Sequence, residues 1–230
     1  MKALTNSGLL DLWERGSNVH PLDRALLSIA AAEPGTSYDA LADWSLGSRN
    51  AALARLRRAC FGPALAGWVA CPQCGERLEF SMDTGMLLEE ANDAGRELVV
   101  DGRRFRPLTS RDLASIAAER DERDAARKLL RRSCAENAEF GEEELGAIGE
   151  LLAEADPLAE TLLGFSCAAC EHQWQEPLDI ATWLWTEVDA RARRLLHDVH
   201  TLATAYGWTE REILSLSEPR RALYLEMVQA

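Results

Sequence analysis

The chain has 230 residues, of which 47% are hydrophobic and 27% charged, and its formal net charge is −13. A chain of this size can bury a substantial core as one large domain or two small ones, and its composition is that of a soluble globular protein. It has neither an apolar run of about 18 residues, as a membrane span needs, nor the continuous apolar stretch of a secretory signal. We therefore expect a cytoplasmic protein with no membrane span. Thiols stay reduced there, and paired cysteines are more often metal ligands than disulfides.

Acidic charge is concentrated in the middle of the chain. Residues 75–166 contain twelve basic and twenty-two acidic side chains, which gives this segment a net charge of −10. Nucleic-acid-binding proteins usually present a basic face, and no segment here is strongly basic. We therefore expect no nucleic acid among the partners.

The first part of the chain, residues 1–70, is predicted to be helical. His20 precedes Pro21 and Asp23, a combination typical of a helix start. Gly62-Pro63 should end the last helix of this part, and no strand pattern is recognised before Trp68. The expected helices cover about residues 7–15, 21–33, 38–44 and 48–60.

Two cysteine pairs mark the points where the pattern changes. The first is Cys71-Pro72-Gln73-Cys74-Gly75 and the second is Cys167-Ala168-Ala169-Cys170. Two cysteines three residues apart can direct both sulfurs at one ion, and a glycine after the second permits the positive φ of such a turn. Strand patterns follow at residues 77–82 and 173–178.

These pairs predict one zinc ion bound by Cys71, Cys74, Cys167 and Cys170 in a split zinc ribbon formed by residues 71–83 and 161–179. The site should be structural, because four thiolates leave no position open for water. The pairs lie much further apart than the roughly 15–20 residues of compact ribbons. Two redox CxxC sites and unrelated cysteines therefore remain alternatives, although neither pair opens a helix in a βαβ context that would lower a thiol pKa.

The segment between the two halves of the ribbon, residues 84–160, is predicted to form an inserted acidic lobe. Asp101-Gly102 lies between two short strand patterns and indicates a β-hairpin. Thr109 and Asp112 form a capping box for a helix that continues or restarts through Leu130. Residues 136–160 contain nine acids and no base. We interpret them as an amphipathic helix with a solvated acidic face, the alternative being an acidic docking surface.

The remaining residues, 180–230, are predicted to form helices that pack on the N-terminal part. Asp179 is a good N-cap for a long helix from Ile180 to about Tyr206, and Gly207 should end it. A short helix follows Thr209 and a last one begins near Glu218, with Leu223, Tyr224 and Met227 expected on its buried side. The fold class is therefore mainly α with small β elements (α+β).

Candidate catalytic groups do not converge in the sequence. His197 and His200 lie three residues apart without an HExxH motif, and Cys60 and Cys134 lack any catalytic signature. We therefore expect a protein that is not an enzyme and that binds other proteins. A zinc-ribbon transcription-associated or nucleic-acid-binding factor would explain the metal but not the charge. An enzyme hidden in the inserted lobe is a further alternative.

Several motifs together resemble one known family. They are Leu12–Gly16, His20–Ala25, Cys71–Gly75, Cys167–Trp174 and Ala205–Leu214. In this order they are similar to baseplate hub assembly chaperones of contractile-tail phages and phage-tail-like injection systems. The resemblance spans most of the chain, but the inserted lobe carries none of its motifs. It implies a non-enzymatic assembly factor or baseplate-associated component that binds baseplate or hub proteins, either in the cytoplasm or within a phage-tail-like particle.

Overall fold

Helices predominate in the computed structural model of the chain, which describes residues 1–90 and 95–229. Within these ranges the strands form three separate antiparallel hairpins. The prediction of a mainly α fold with small β elements is confirmed.

Four helices form the N-terminal part. They are α1 (Asn6–Gly16), α2 (Pro21–Ala32), α3 (Tyr38–Ala42) and α4 (Leu46–Phe61). The imidazole Nδ1 of His20 caps α2 by accepting a hydrogen bond from the Leu22 N–H, as expected of a helix-start residue. Helix α4 begins two residues earlier than predicted, because the Ser45 hydroxyl accepts the Ser48 N–H and so caps the helix there.

The C-terminal helices complete a helical body with the N-terminal part. They are α9 (Ile180–Tyr206), α10 (Glu210–Ser215) and α11 (Glu218–Gln229). The apolar stripe of α9 faces α1, α2 and α4, and the main hydrophobic core lies between them. Its fully buried side chains include Ile29, Leu53, Leu56, Leu184 and Leu195. Among the described residues, no helix combines the length and the apolar character that crossing a membrane requires.

A partly buried ion pair fixes α4 against α9. The Arg57 guanidinium donates through Nε and Nη2 to the two carboxylate oxygens of Glu187, at 2.8 and 2.6 Å. Such two-point pairing constrains both distance and orientation. The two halves of the body are therefore held by a directional contact as well as by apolar packing.

The predicted buried side of α11 is wrong for two residues. Leu223 and Met227 are 55% and 64% exposed, whereas Arg221 is only 2% exposed. Arg221 donates from Nε to the carboxylate of Asp198 on α9 at 2.9 Å. Because successive helix residues are about 100° apart, directing Arg221 at α9 places Leu223 on the opposite side. The ion pair thus sets the rotation of the helix.

Each cysteine pair lies in the turn of a β-hairpin. The first hairpin consists of β1 (Ala64–Ala70) and β2 (Arg77–Asp83), the second of β5 (Leu162–Ser166) and β6 (Gln173–Pro177). The expectation of no strand before Trp68 is wrong, because β1 begins at Ala64. Its first residues are small apart from Leu65, and pairing with β2 makes them a strand. The short helix α5 (Gly85–Glu90) follows β2.

In its described residues, the inserted segment contains the third hairpin and three helices besides α5. They are β3 (Leu98–Val100), β4 (Arg103–Phe105), α6 (Ser110–Ile116), α7 (Glu122–Ser133) and α8 (Glu142–Ala155). Asp101 and Gly102 have φ values of 51° and 76°, as a two-residue hairpin turn requires. The predicted helix after Thr109 restarts as α7 rather than continuing. These elements enclose a second core formed by Phe105, Leu130, Cys134, Phe140, Ile148 and Leu152.

The first turn of α4 is where the inserted segment meets the body. The Asp156 carboxylate accepts the Gly47 N–H at 2.9 Å, and the Leu46 N–H donates to the Leu108 carbonyl at 2.9 Å. Leu87 and Leu158 lie within the predicted lobe range but belong to the main core of the body. The lobe therefore has a core of its own and meets the body through a partly polar contact, which we call the joint.

Candidate metal centre

The four predicted cysteines lie close together. Their Sγ atoms are all within 4.8 Å of one another. Cys71 and Cys170 are separated by 3.6 Å between sulfurs, as are Cys74 and Cys167. In a tetrahedral site with metal–sulfur bonds of about 2.3 Å, neighbouring sulfurs are about 3.8 Å apart. The cluster has the dimensions of a site that can hold one metal ion.

The two cysteine turns have the same backbone hydrogen bonds. In the first, the Cys71 N–H donates to the Glu76 carbonyl and the Gly75 N–H donates to the Cys71 carbonyl, at 2.8 and 2.9 Å. In the second, Cys167 donates to His172 and Glu171 donates back to Cys167, at 2.9 and 2.8 Å. Each turn thus folds its two thiols to the same side, and the two hairpins contribute equivalent halves.

The backbone environment favours the thiolate form of Cys71. Cys71 is buried, and burial opposes ionisation of its thiol. The backbone N–H groups of Cys74 and Gln73, together with the neighbouring Cys170 thiol, outweigh that effect and lower the pKa of Cys71 to about 7. Since the thiolate is the metal-binding form, the turn prepares Cys71 for coordination.

Aromatic packing fixes the two hairpins against the helical body. Phe80 of β2 contacts Phe165 of β5 edge to face, with ring centroids 5.4 Å apart, and also contacts Trp183 of α9 at 6.0 Å. Phe165 stacks on Trp174 at 5.6 Å. A Cβ atom at Gly67 would lie 2.3 Å from the Trp183 ring, so β1 approaches α9 at a distance that only glycine permits. No local sequence pattern predicts this cluster, because its members are far apart in the chain.

The other histidines and cysteines named above lie outside the cluster. The His172 ring stacks on Trp174 at 5.8 Å, and its backbone carbonyl completes the second cysteine turn. His197 and His200 are exposed on α9. Cys60 accepts a hydrogen bond from the Leu4 N–H, and Cys134 lies in the core of the lobe. Among the described residues, only the four predicted cysteines form a group able to hold a metal ion.

Comparison of the chain with protein-family models, curated proteins and solved structures finds no match. A tetrahedral ion bound by four sulfurs has no position left for water or substrate. Such an ion would join two hairpins whose cysteines are 93 and 99 residues apart in the chain.

Proposed function

We propose that Cys71, Cys74, Cys167 and Cys170 bind one structural zinc ion. Four thiolates in tetrahedral arrangement suit zinc, which adds no redox chemistry of its own. The ion clamps the hairpin that follows α4 to the hairpin that precedes α9. Because α4 and α9 carry much of the main core, zinc binding contributes directly to the free energy of folding of the body.

We further propose that the protein is a non-enzymatic assembly factor or baseplate-associated component of a contractile phage-like tail or injection system. It acts by binding baseplate or hub proteins. Support comes from the ordered motifs that resemble baseplate hub assembly chaperones, and from an exposed surface at the C-terminal helices. One of those motifs, Ala205–Leu214, contributes Tyr206 and Trp208 to that surface.

The surface at the C-terminal helices, which we call the C-terminal apolar surface, is the main support for partner binding. Its members are Tyr206, Trp208, Leu223, Tyr224, Met227 and Val228. The rings of Tyr206 and Trp208 stack with centroids 4.7 Å apart, and Trp208 contacts Tyr224 edge to face at 4.8 Å. Leu223 and Met227, one helical turn apart on α11, are 55% and 64% exposed. Exposed apolar patches mark sites of protein association.

Deletion of the gene in its native host tests the proposed function. We expect sheath and tube proteins still to be expressed but few complete particles to be visible by electron microscopy, and a plasmid copy of the gene to restore them. Tagged protein purified from the host should bring a baseplate or hub component with it. Normal particle numbers in the deletion strain, with no tail protein co-purifying, would refute the proposal.

A further inference from the structure

A cavity of about 250 Å³ lies at the joint between the body and the inserted lobe. Its apolar walls include Leu22, Leu113 and Leu178, which come from three separate parts of the chain. Arg49, from the first turns of α4, also lines it and is only 8% exposed. A buried guanidinium is thus part of the wall of a largely apolar cavity.

Arg49 lacks a direct anionic partner in the described part of the chain. Its Nε and Nη2 donate to the Asn50 side-chain oxygen at 3.1 and 2.9 Å, and Nη1 donates to the Ser110 hydroxyl at 3.3 Å. Since a guanidinium has five N–H groups, two of them have no partner among the described residues. No described carboxylate lies within 4.0 Å of this guanidinium, although buried arginines are normally paired.

The nearest acidic groups are engaged elsewhere. Asp156 accepts the Gly47 N–H at the start of α4, and Asp179 accepts the N–H groups of Ala181 and Thr182 at the start of α9. Burial lowers the pKa of the Arg49 guanidinium. This effect outweighs the longer-range attraction of Asp179 and Asp156, which raises that pKa. A carboxylate placed at the two free N–H groups would offset this cost of burial.

A second, larger cavity adjoins the first. It has a volume of about 400 Å³, and Leu113, Ala159 and Glu160 line both cavities. Most of its walls are aliphatic side chains of the lobe, among them Leu129 of α7 and Leu145 of α8. The aliphatic walls of the second cavity thus lie next to the cavity that Arg49 lines.

We propose that the joint binds a carboxylate carried on a short aliphatic body, with the carboxylate on Arg49 and the aliphatic part in the adjoining cavity. A planar carboxylate matches the paired N–H groups of a guanidinium. A doubly charged phosphate is disfavoured, because Glu160 and Asp179 also line the first cavity and the whole chain is acidic. The same chemistry is available from a free fatty acid and from the C-terminus of a polypeptide that ends in leucine.

Calorimetric titration of the metal-loaded full chain with octanoate tests this site, with octanamide as the matched uncharged ligand. We expect saturable binding of octanoate. Octanamide should bind at least roughly tenfold more weakly, since a charge-assisted hydrogen-bonded pair is lost. The peptide acetyl-Ala-Leu-Leu with a free carboxylate and its C-terminal amide form a second pair of ligands. Preference for octanoate assigns the site to a free acid, and preference for the peptide acid assigns it to a chain terminus.

Variants connect binding to the named residues. Arg49→Lys keeps the positive charge but removes the paired N–H groups of the guanidinium. We therefore expect at least roughly tenfold weaker binding of the preferred acid. Arg55→Lys, an exposed position on the same helix, is the matched control and should bind like the parent protein. Glu160→Gln removes a negative charge from the cavity wall and should strengthen acid binding without changing amide binding.

If Arg49→Lys does not fold, the guanidinium nitrogen resonances of the parent protein, assigned to Arg49 by NMR, provide the second measurement. They should shift on addition of the acid and stay unchanged with the amide. Equal affinity for acids and amides, no binding of either acid, or equal acid affinity in Arg49→Lys and Arg55→Lys would overturn the proposal.

Discussion

Glu171 occupies in the second cysteine turn the position that Gly75 occupies in the first. Each follows the second cysteine of its pair, and the two residues have φ values of 58° and 77°. A side chain in this left-handed region costs roughly 1 kcal/mol, because its Cβ crowds the backbone. We expect Glu171→Gly to raise the free energy of unfolding of the metal-loaded protein by up to about 1 kcal/mol, measured by chemical denaturation.

The reverse substitution has an internal control. Gly75→Ala should lower the free energy of unfolding by about 1 kcal/mol, because it puts a side chain on a positive φ. Gly146→Ala, in the middle of α8, should raise it by roughly 0.5–1 kcal/mol through helix propensity. Apart from the local backbone and the adjacent residues, no described atom lies within 4 Å of the added Cβ at either site. New tertiary contacts therefore do not account for a difference between the two changes. Changes of equal sign would contradict the backbone explanation.

Loss of any one of the four cysteines should unfold the body rather than merely release an ion. Cys71→Ser and Cys170→Ser each remove one thiolate from the centre, so the two hairpins lose their covalent link through the metal. We expect both variants to aggregate or unfold at temperatures at which the parent protein is folded, by circular dichroism. Elemental analysis of the parent protein, purified without chelators, should give one zinc per chain.

Cys60→Ser is the control for this prediction. The Cys60 thiol lies away from the centre and accepts the Leu4 N–H, a role that a serine hydroxyl can take over. The variant should keep its zinc and most of its stability. Parent protein without tightly bound metal, or Cys170→Ser as stable as Cys60→Ser, would contradict the structural role of the centre.

The joint between lobe and body depends on an interaction that tolerates no side chain at residue 47. A Cβ at Gly47 would lie 2.0 Å from the Asp156 carboxylate, which accepts the N–H of the same glycine. We expect Gly47→Ala and Asp156→Ala each to cost about 1–2 kcal/mol of stability through loss of this helix cap. In the Asp156→Ala background, Gly47→Ala should cost nothing or stabilise the protein, because the clash is gone. Additive effects in this double-mutant cycle would disprove the coupling.

Asp112 makes the stability of the lobe dependent on pH. Its fully buried carboxylate accepts hydrogen bonds from Arg106, Arg132 and the Thr109 N–H. Burial opposes its charge, but these partners outweigh burial and lower the pKa of Asp112 to about 2. Its stabilising contribution is therefore complete above the unfolded-state pKa of about 4 and is lost as the pH falls towards 2.

The variant Asp112→Asn isolates this contribution from acid effects elsewhere. The difference in free energy of lobe opening between parent and variant should be constant above about pH 4 and should shrink by about 2 kcal/mol towards pH 2. Lobe opening is measured by hydrogen exchange of the Thr109 amide, whose N–H donates a hydrogen bond to the Asp112 carboxylate. A difference that does not change with pH over this range would show that the Asp112 charge does not stabilise the lobe.

Local sequence signals were enough to predict most helices, the Asp101-Gly102 hairpin and the four cysteines. Caps, turn residues and paired cysteines act over a few residues, so their pattern is visible in the chain itself. Local patterns do not predict strand β1, because Ala64–Gly67 becomes a strand through pairing with β2. Local patterns also predict the wrong buried side for α11, because a long-range ion pair, Arg221 with Asp198, sets its rotation.

Arg49 shows a second limit of the same kind. In the sequence it is one of several arginines on a helix, and nothing local separates it from exposed Arg55. Its burial depends on Ser110 and Leu113 of the lobe and on Leu178 before α9, which only the folded chain brings together. Sites assembled from distant segments are invisible to local patterns unless the residue types are as specific as paired cysteines.

The C-terminal apolar surface yields the last prediction. Because Leu223 and Met227 are exposed and the Arg221–Asp198 pair holds α11 in place, Leu223→Ser with Met227→Ser should change the free energy of unfolding by less than about 1 kcal/mol. Under the proposed function, the same double variant should lose its baseplate or hub partner in purification from the host and fail to restore particles in the deletion strain. Leu151→Ser, at an exposed leucine of α8, is the matched control and should restore them. Restoration by both variants would show that the partner binds elsewhere on the molecule.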